Sequence, residues 1–452
     1  MKKLFGTDGI RGVANKDLNS ELALKTGKAL AKVLKAHKGG KPKILIGKDS
    51  RQSGDMLESA FAAGLCSFGA DVTLLGLVPT PAVACLVKLY QADAGVVISA
   101  SHNSAMDNGI KIFGGDGFKI PDMYEDEITA FVLSPDLIEP DVDGTEVGRI
   151  SFSSASAEDY AGFVVKTCDI NLSGTKVLID CANGGASPTA GKIFGALGAD
   201  FTLIGCEPDG RNINLNCGAL HTDSLAGKVI AGGYDLGLAF DGDADRLMAV
   251  DSHGNLVDGD IIIAIFARYW NERGRLAKNT VVGTIMTNIG LIRYFASIGI
   301  RTLTTKVGDK FVLEEIEKNG YNLGGEQSGH IIIRDLHTTG DGQLSAVQLL
   351  KILKESGKTI EELAAPVRKF PQVTINVTMT KAQRNAICED EDVLKEIAKW
   401  SGILAYSGRI LVRPSGTELL VRVMVEGQDS ELIRQCAESI AAKIRERIAY
   451  IA

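Results

Sequence analysis

Short apolar runs recur along the chain, and each is followed by an amphipathic helical pattern and a second apolar run. In the first copy the two apolar runs are residues 43–47 and 72–76. In the second they are 176–180 and 201–205, and in the third 280–283 and 302–304. Each helical pattern ends near Gly, a common residue at helix C-termini, and continuous apolar strands are typical of buried parallel sheets. The pattern therefore predicts three similar mixed α/β domains built from parallel βαβ units.

After Pro366 the pattern changes to alternating apolar and polar residues, which predicts a smaller α+β domain at the C-terminus. A chain of 452 residues is also too long for a single hydrophobic core. We expect domains at residues 1–150, 151–253, 254–366 and 367–452. The repeats alone are also compatible with one long doubly wound sheet.

Composition narrows the function classes. Hydrophobic residues make up 45% and charged residues 23%, as in an average soluble globular protein. The net charge of −7 argues against nucleic acid or a membrane surface as partner, because both need a cationic face. The N-terminus shows no apolar leader and no stretch is long enough to span a bilayer, so we expect a cytoplasmic protein.

Three carboxylates follow the apolar run at residues 236–240, in the segment Asp-Gly-Asp-Ala-Asp-Arg. On extended backbone Asp241, Asp243 and Asp245 would point to one side, where they repel each other unless a cation lies between them. Oxygen ligands suit magnesium. A calcium loop is excluded, because Arg246 and Ser252 occupy its Gly and Glu places. A solvated acidic turn and an aspartyl-nucleophile phosphatase stay open.

A second polar segment, Ser-Ala-Ser-His-Asn at residues 99–103, follows another apolar run. Neighbouring residues on extended backbone point apart, so we do not expect His102 and Ser101 to form a simple Ser-His hydrolase pair. No G-x-S-x-G motif surrounds the serine. From the residues alone Ser101 could equally be a helix N-cap.

Three further segments combine Gly with polar groups. Residues 325–330 present groups suited to sugar hydroxyls, and residues 413–418 present phosphate donors, with Arg422 nearby. Residues 6–12 place Arg11 among glycines. A surface turn, a hairpin turn and a flexible terminus are the respective alternatives. No complete P-loop or dinucleotide motif is present, so we expect no bound nucleotide.

Taken together, five segments resemble the α-D-phosphohexomutase superfamily in order and spacing from end to end. They are GTDGIRG at 6–12, SASHN at 99–103, DGDADR at 241–246, GEQSGH at 325–330 and RPSGTE at 413–418. Gln327, the Val-Gly-Asp at 307–309 and the chain length are closer to the bacterial branch that acts on glucosamine phosphates than to the phosphomannomutase/phosphoglucomutase branch. Ser104 and Leu419 stand where family members usually have Pro.

The resemblance implies four domains around one central cleft and an isomerase, an intramolecular phosphotransferase. It would interconvert glucosamine 6-phosphate and glucosamine 1-phosphate through phospho-Ser101 and a bisphosphorylated sugar, feeding cell-wall amino-sugar synthesis. One Mg²⁺ per chain and a homodimer are also implied. The alternatives are a phosphomannomutase/phosphoglucomutase, a simple phosphatase, and a non-catalytic phosphosugar-binding protein of the same fold.

The resemblance also assigns roles to individual residues, drawn from all four domains. Catalysis would use Ser101, His102, Lys111 and Arg11; the metal would be held by Ser101, Asp241, Asp243 and Asp245; the substrate would be bound by Arg246, Lys306, Gly308, Asp309, Glu326, Ser328 and His330; and its distal phosphate by Arg413, Ser415, Gly416, Thr417 and Arg422.

Overall fold

The computed structural model describes residues 4–6, 8–134, 139–140, 142–387, 389–414 and 419–450. The chain divides into two compact units, one formed by Met1–Met286 with Gly299–Ala365 and the other by Thr287–Ile298 with Pro366–Ala452. The first unit contains three α/β sheets and the second contains one antiparallel sheet. Within these ranges no helix is both long and apolar enough to cross a bilayer.

Ten elements build the first sheet and its helices: β1 (Ile10–Val13), α1 (Ser20–Lys38), β2 (Lys43–Lys48), α2 (Ser53–Ser67), β3 (Asp71–Leu77), α3 (Thr80–Leu89), β4 (Ala94–Ile98), β5 (Asp107–Gly114), α4 (Asp122–Leu133) and β6 (Ile150–Phe152). The strand order is β1-β5-β4-β2-β3-β6. Strands β2, β3, β4 and β6 are parallel, whereas β5 runs antiparallel to both β4 and β1. Every residue of β4 is buried, as expected of a strand in the middle of a covered sheet.

The second sheet has the order β11-β10-β9-β7-β8. Strands β7, β8 and β9 are parallel, and β10 and β11 extend the sheet as an antiparallel hairpin. The elements of this region are α5 (Ser156–Val165), β7 (Lys176–Asp180), α6 (Ala190–Ala196), β8 (Asp200–Ile204), α7 (Thr222–Gly232), β9 (Leu236–Phe240), β10 (Leu247–Asp251) and β11 (Leu256–Val257).

The third sheet has the order β13-β12-β14-β15, with only β15 antiparallel. Helix α9 lies between β12 and β13 in sequence but belongs to the second unit. The elements are α8 (Gly259–Asn271), β12 (Thr280–Thr284), α9 (Ile289–Ser297), β13 (Arg301–Thr305), α10 (Asp309–Asn319), β14 (Leu323–Gly325), β15 (Ile331–Ile333), α11 (Gly342–Ser356) and α12 (Ile360–Ala364).

The second unit is built on a three-stranded antiparallel sheet in the order β16-β18-β17. Its remaining elements are β16 (Gln372–Thr378), α13 (Lys381–Ile387), α14 (Glu391–Leu404), β17 (Gly408–Pro414), β18 (Leu420–Gly427) and α15 (Ser430–Ile448). The predicted fold class, mixed α/β with a smaller C-terminal α+β domain, is confirmed. The strand pairs β2/β3, β7/β8 and β12/β13 are the three predicted parallel pairs.

Helices α1 and α2 approach each other closely because each has a glycine at the crossing. A Cβ atom on Gly64 would lie 2.2 Å from the carbonyl oxygen of Leu24, and one on Gly27 would lie 2.3 Å from that of Phe61. Alanine is favoured over glycine in helices by about 1 kcal/mol, but overpacking against rigid atoms costs about 1–3 kcal/mol. We therefore expect Gly64→Ala to lower the thermal unfolding midpoint measured by calorimetry.

The control for this substitution is Gly227→Ala in α7, where an added Cβ meets no atom within 4 Å. That variant should keep or raise the midpoint, because only helix propensity changes. Equal midpoints for the two variants would show that the α1–α2 crossing relaxes without cost.

Candidate active site

Ser101 lies in a turn at the end of β4, and its backbone is left-handed with φ of +51°. Its amide donates to Ser99 Oγ at 2.9 Å, and its own hydroxyl donates to Asp241 Oδ2 at 2.5 Å. The turn leads into β5 rather than into a helix, so Ser101 is not a helix N-cap. A left-handed non-glycine residue persists only where its surroundings enforce that conformation.

Two buried residues outside the predicted motifs enforce it. The Arg51 guanidinium donates to the carbonyl oxygens of Ser101 and Asn103 at 2.9 and 2.8 Å, and Asn214 Nδ2 donates to the same two oxygens at 2.9 and 3.0 Å. Asp49 balances the arginine charge through a 2.8 Å contact between its Oδ2 and Arg51 Nε. The serine turn is thus held from the first sheet by Arg51 and from the region of the second sheet by Asn214.

The left-handed turn also corrects our expectation for His102. Because the backbone is not extended there, the neighbouring side chains do not point apart, and His102 Nδ1 lies 3.3 Å from Ser101 Oγ. Burial, together with the charge of Arg246, lowers the pKa of His102 to about 4. Its imidazole is therefore neutral near neutral pH.

The carboxylates of Asp241, Asp243 and Asp245 converge, as the sequence predicts, and all three are buried. Each contributes one oxygen to a set whose members lie within 4.8 Å of one another. The backbone conformation of residues 241–245 differs from the extended one that we expected. Ala244 is left-handed, with φ of +55°, and its amide donates to the Asp241 carbonyl at 3.0 Å, so a tight turn brings the side chains together.

A glycine allows this acidic turn to reach the serine turn. A Cβ atom on Gly242 would lie 2.6 Å from the carbonyl oxygen of Ser101 and 2.8 Å from Asn214 Nδ2. Real Cβ atoms do not approach other atoms this closely, so any other residue would push the two turns apart.

The donor set fits a divalent cation. Oδ1 of Asp243 and Oδ1 of Asp245 are buried and have no hydrogen-bond partner among the described residues. Burial and the neighbouring carboxylates of Asp245 and Asp243 raise the pKa of Asp241 well above its usual range. The charged form of Asp241 is therefore disfavoured, and a hard cation coordinated by oxygen ligands would offset that cost and contact the two oxygens that lack hydrogen-bond partners.

Basic residues surround the carboxylates. Lys111 Nζ, on β5, lies 2.9 Å from Asp243 Oδ2, 3.3 Å from Asp245 Oδ2 and 3.2 Å from Asp8 Oδ2. Although burial opposes it, the attraction of these three carboxylates raises the pKa of Lys111 well above its usual range. Asp8 also pairs with the predicted Arg11, and its role was not predicted from the sequence.

Lys119 connects Asp8 to Asp309, one of the predicted substrate-binding residues. A role for Lys119 was not predicted from the sequence. Its Nζ lies 3.1 Å from Asp8 Oδ1 and 2.7 Å from Asp309 Oδ2. His330 lies between Asp309 and Asp245, with ring nitrogens 3.8 and 3.6 Å from their carboxylate oxygens. Although burial opposes it, the Asp245 charge raises the pKa of His330 to about 9.

The other predicted substrate-binding residues differ in their burial and in their contacts. Glu326 Oε1 accepts from the Gly308 amide at 3.1 Å, and the buried Ser328 Oγ has no hydrogen-bond partner in the described part of the chain. Arg246 Nε is 3.9 Å from both Asp241 Oδ2 and Asp245 Oδ1. Lys306 is exposed, and its Nζ lies over the Phe311 ring.

In the second unit, the predicted phosphate residues Arg413 and Arg422 are direct partners in the register of β17 and β18. Directly opposed like charges destabilise a sheet, and burial together with Arg422 lowers the pKa of Arg413. A bound anion would relieve this repulsion. Ser415, Gly416 and Thr417 lie outside the described residues.

Family models match nearly the whole chain. They describe phosphoglucomutase/phosphomannomutase α/β/α domain I over residues 2–138, domain II over 158–254, domain III over 258–370, and the C-terminal domain over 375–443. A phosphoglucosamine mutase of Thermoanaerobacter sp. (strain X514) is 51% identical over 448 residues, 99% of this chain and 100% of the relative. That of Clostridium acetobutylicum is 49% identical over 447 residues, with 99% and 100% covered.

Solved structures share the fold at lower identity. A phosphoglucomutase/phosphomannomutase family protein from Burkholderia thailandensis aligns with a TM-score of 0.81 at 24% identity, over 99% of this chain and 98% of its own. An Aspergillus fumigatus N-acetylphosphoglucosamine mutase, solved in complex with GlcNAc-6P and magnesium, aligns with a TM-score of 0.70 at 17% identity, over 98% and 96%. Sequence identity of about half over the full length and the four domain matches together show that the chain belongs to the phosphoglucosamine mutase family.

Proposed function

We propose that this protein is an isomerase that interconverts glucosamine 6-phosphate and glucosamine 1-phosphate, with Ser101 as the phosphoryl carrier. The observation that carries the proposal is the 2.5 Å contact between the Ser101 hydroxyl and Asp241, within a buried carboxylate cluster that fits a divalent cation. Full-length relatives named phosphoglucosamine mutase support the choice of substrate.

The proposed reaction begins with a phosphoryl group on Ser101 Oγ. The free hydroxyl of the sugar phosphate gives its proton to a base and attacks phosphorus, and its O–P bond forms as the Ser101 O–P bond breaks and the Ser101 oxygen takes up a proton. The sugar then carries two phosphates. After the sugar reverses its orientation, the Ser101 hydroxyl gives up its proton and attacks the other phosphate. A new Ser101 O–P bond forms as that sugar O–P bond breaks, the sugar oxygen takes up a proton, and the starting enzyme is restored. Two opposite transfers therefore give net isomerisation with no net change in the protein.

Charge placement is what such a transfer needs most. Mg²⁺ is the proposed cation because all the candidate ligands are oxygens, and when bound it would neutralise charge on the transferring phosphoryl group. The Lys111 and Arg11 side chains would stabilise the same charge. Asp8 forms ion pairs with both side chains and holds them in position. The serine oxygen is already positioned by its left-handed turn, so little reorganisation precedes transfer.

The substrate-binding residues must hold the sugar equally well in either of its two orientations. We assign the hydroxyl contacts to the hairpin between β14 and β15, where the buried Ser328 Oγ has no partner among described atoms. The Glu326 carboxylate, fixed by the Gly308 amide, would be a second contact. Arg413 and Arg422 are assigned to the phosphate that is not transferred, because paired guanidinium groups match a phosphate dianion.

We expect kcat/KM to be at least about 10-fold higher for glucosamine phosphates than for glucose or mannose phosphates. A site built to hydrogen-bond one substituent rejects analogues that lack it, because its own polar groups then stay unpaired. The measurement is a coupled assay over a panel of hexose 1- and 6-phosphates, with release of inorganic phosphate followed in parallel.

Each other outcome of the panel identifies a different function. Equal or faster turnover of mannose or glucose phosphates would assign the chain to phosphomannomutase/phosphoglucomutase activity. Release of inorganic phosphate without isomerisation would indicate a phosphatase. Binding without turnover, together with no phosphoryl group detected by intact-mass measurement, would indicate a phosphosugar-binding protein. Ser101→Ala protein prepared identically corrects for contaminating mutase.

A further inference from the structure

Asp243 is held by a residue from outside its own turn and its own sheet. The Thr80 hydroxyl donates to Asp243 Oδ2 at 2.6 Å, and the Thr80 amide donates to the Asp243 carbonyl at 2.9 Å. Thr80 is the first residue of α3, which follows a strand of the first sheet, whereas Asp243 follows β9 of the second sheet. Both residues are almost fully buried, with exposed fractions of 2% and 0%.

The two oxygens of the Asp243 carboxylate are therefore not equivalent. Oδ2 accepts from Thr80 Oγ1 and from Lys111 Nζ, whereas Oδ1 is buried without a hydrogen-bond partner in the described structure. Rotation of the carboxylate would break both contacts at Oδ2. Oδ1 is consequently the Asp243 oxygen left available to a cation at the carboxylate cluster, to which Asp243 contributes one oxygen.

We propose that Thr80 is a positioning residue for the cation site, acting through the orientation of Asp243. This inference rests on the proposed function, because it takes the three carboxylates to be metal ligands. Partners that orient metal-binding groups are commonly worth about 10- to 100-fold in metal affinity.

Thr80 is better suited to this task than Lys111, the other donor to Asp243 Oδ2. Lys111 divides its ammonium group among Asp8, Asp243 and Asp245, and its long side chain has many rotamers. Thr80 is short and β-branched, so its rotamer is restricted, and its amide is bonded to the same aspartate. Its hydroxyl therefore defines one orientation of the carboxylate.

The test is a titration of the full-length protein with Mn²⁺, in which the electron paramagnetic resonance signal of the free ion reports how much has bound. Thr80→Val replaces the hydroxyl with a methyl group of similar size and is expected to weaken Mn²⁺ binding by about 10- to 100-fold. Thr80→Ser restores a hydroxyl and should bind within a few-fold of wild type. Thr26→Val is the matched control, because Thr26 is a buried helical threonine whose hydroxyl donates to the Leu22 carbonyl within α1. It should bind Mn²⁺ like wild type.

The outcomes separate this inference from the proposed function. If wild-type protein binds no Mn²⁺, the cation part of the proposed function fails first. If wild type binds Mn²⁺ and Thr80→Val binds it equally well, the positioning role of Thr80 is refuted while the metal site stands. Should Thr80→Val not fold, Thr80→Ala replaces it, and equal Mn²⁺ affinity of Thr80→Ala and Thr80→Ser would refute the inference in the same way.

Discussion

Replacing Ser101 with alanine is expected to lower turnover by about 10⁴-fold or more, as is seen when a nucleophile is removed from an enzyme that forms a covalent intermediate. Both proposed half-reactions pass through the Ser101 oxygen, so neither survives its loss. Binding of the sugar phosphate should change little, because Ser101 is not among the residues assigned to substrate binding. A steady-state assay and calorimetric titration with sugar phosphate measure the two effects separately.

The matched control is Ser104→Ala, three residues further along the same turn. Ser104 is exposed, and the loop uses its carbonyl rather than its side chain to contact Arg51. That variant should keep its activity and still acquire one phosphoryl group when incubated with a hexose bisphosphate, as detected by intact mass. Full activity in Ser101→Ala, or phosphorylation that persists in it, would locate the carrier elsewhere.

The repeating fold was predictable because its signals are local. A short apolar run such as residues 43–47 favours a buried strand, and a left-handed Gly just after a helix, as at Gly198 with φ of +71°, marks the end of that helix. The antiparallel strand β5 had no comparable signal. Its Asp-Asn-Gly start is typical of a turn, and its strand conformation depends on pairing with β1 and β4 on either side.

The same distinction separates the site residues that were predicted from those that were missed. Asp241, Asp243 and Asp245 lie within five residues of sequence, so their spacing alone indicated a cluster. Arg51 and Thr80 act on residues that are 50 and 163 positions away, and no local pattern encodes those contacts. A weak signal did exist, because each lies three residues after the end of a parallel strand, and the carboxyl ends of such strands are where binding sites form.

Backbone conformation at the site was the least predictable feature. The sequence suggested extended segments at both motifs, yet Ser101 and Ala244 are left-handed and both motifs turn. Neither residue favours that conformation by itself. It is imposed by contacts such as those of Arg51 and Asn214 with the serine turn, and by the close approach that Gly242 allows. Strain of this kind at a reactive centre is expected where function requires one fixed geometry.

Asp241→Asn is expected to have effects of opposite sign on activity and on the stability of the metal-free protein. A loss of about 4 kcal/mol of transition-state stabilisation, within the several kcal/mol that a metal ion can supply, corresponds to a fall of about 10³-fold in kcat. In the presence of a chelator, however, the variant should unfold at a higher temperature than wild type. Burial and two neighbouring carboxylates raise the pKa of Asp241, which means that the fold disfavours its charged form, and asparagine carries no charge.

Adding Mg²⁺ should reverse that order, because a ligand that binds only the folded state stabilises it by an amount that grows as its Kd falls. Wild type should then unfold at the higher temperature, while Asp241→Asn should respond weakly. Asp251→Asn is the matched control. Asp251 is also buried and also has two potential ligands nearby, His253 and Glu361, but its oxygens already accept from the amides of His253 and Asn255 and from Asn255 Nδ2. In the variant the amide nitrogen would face the Asn255 Nδ2 donor, which should lower stability equally with and without Mg²⁺. If Asp241→Asn behaved in the same way, its carboxylate would be a structural acceptor rather than a metal ligand.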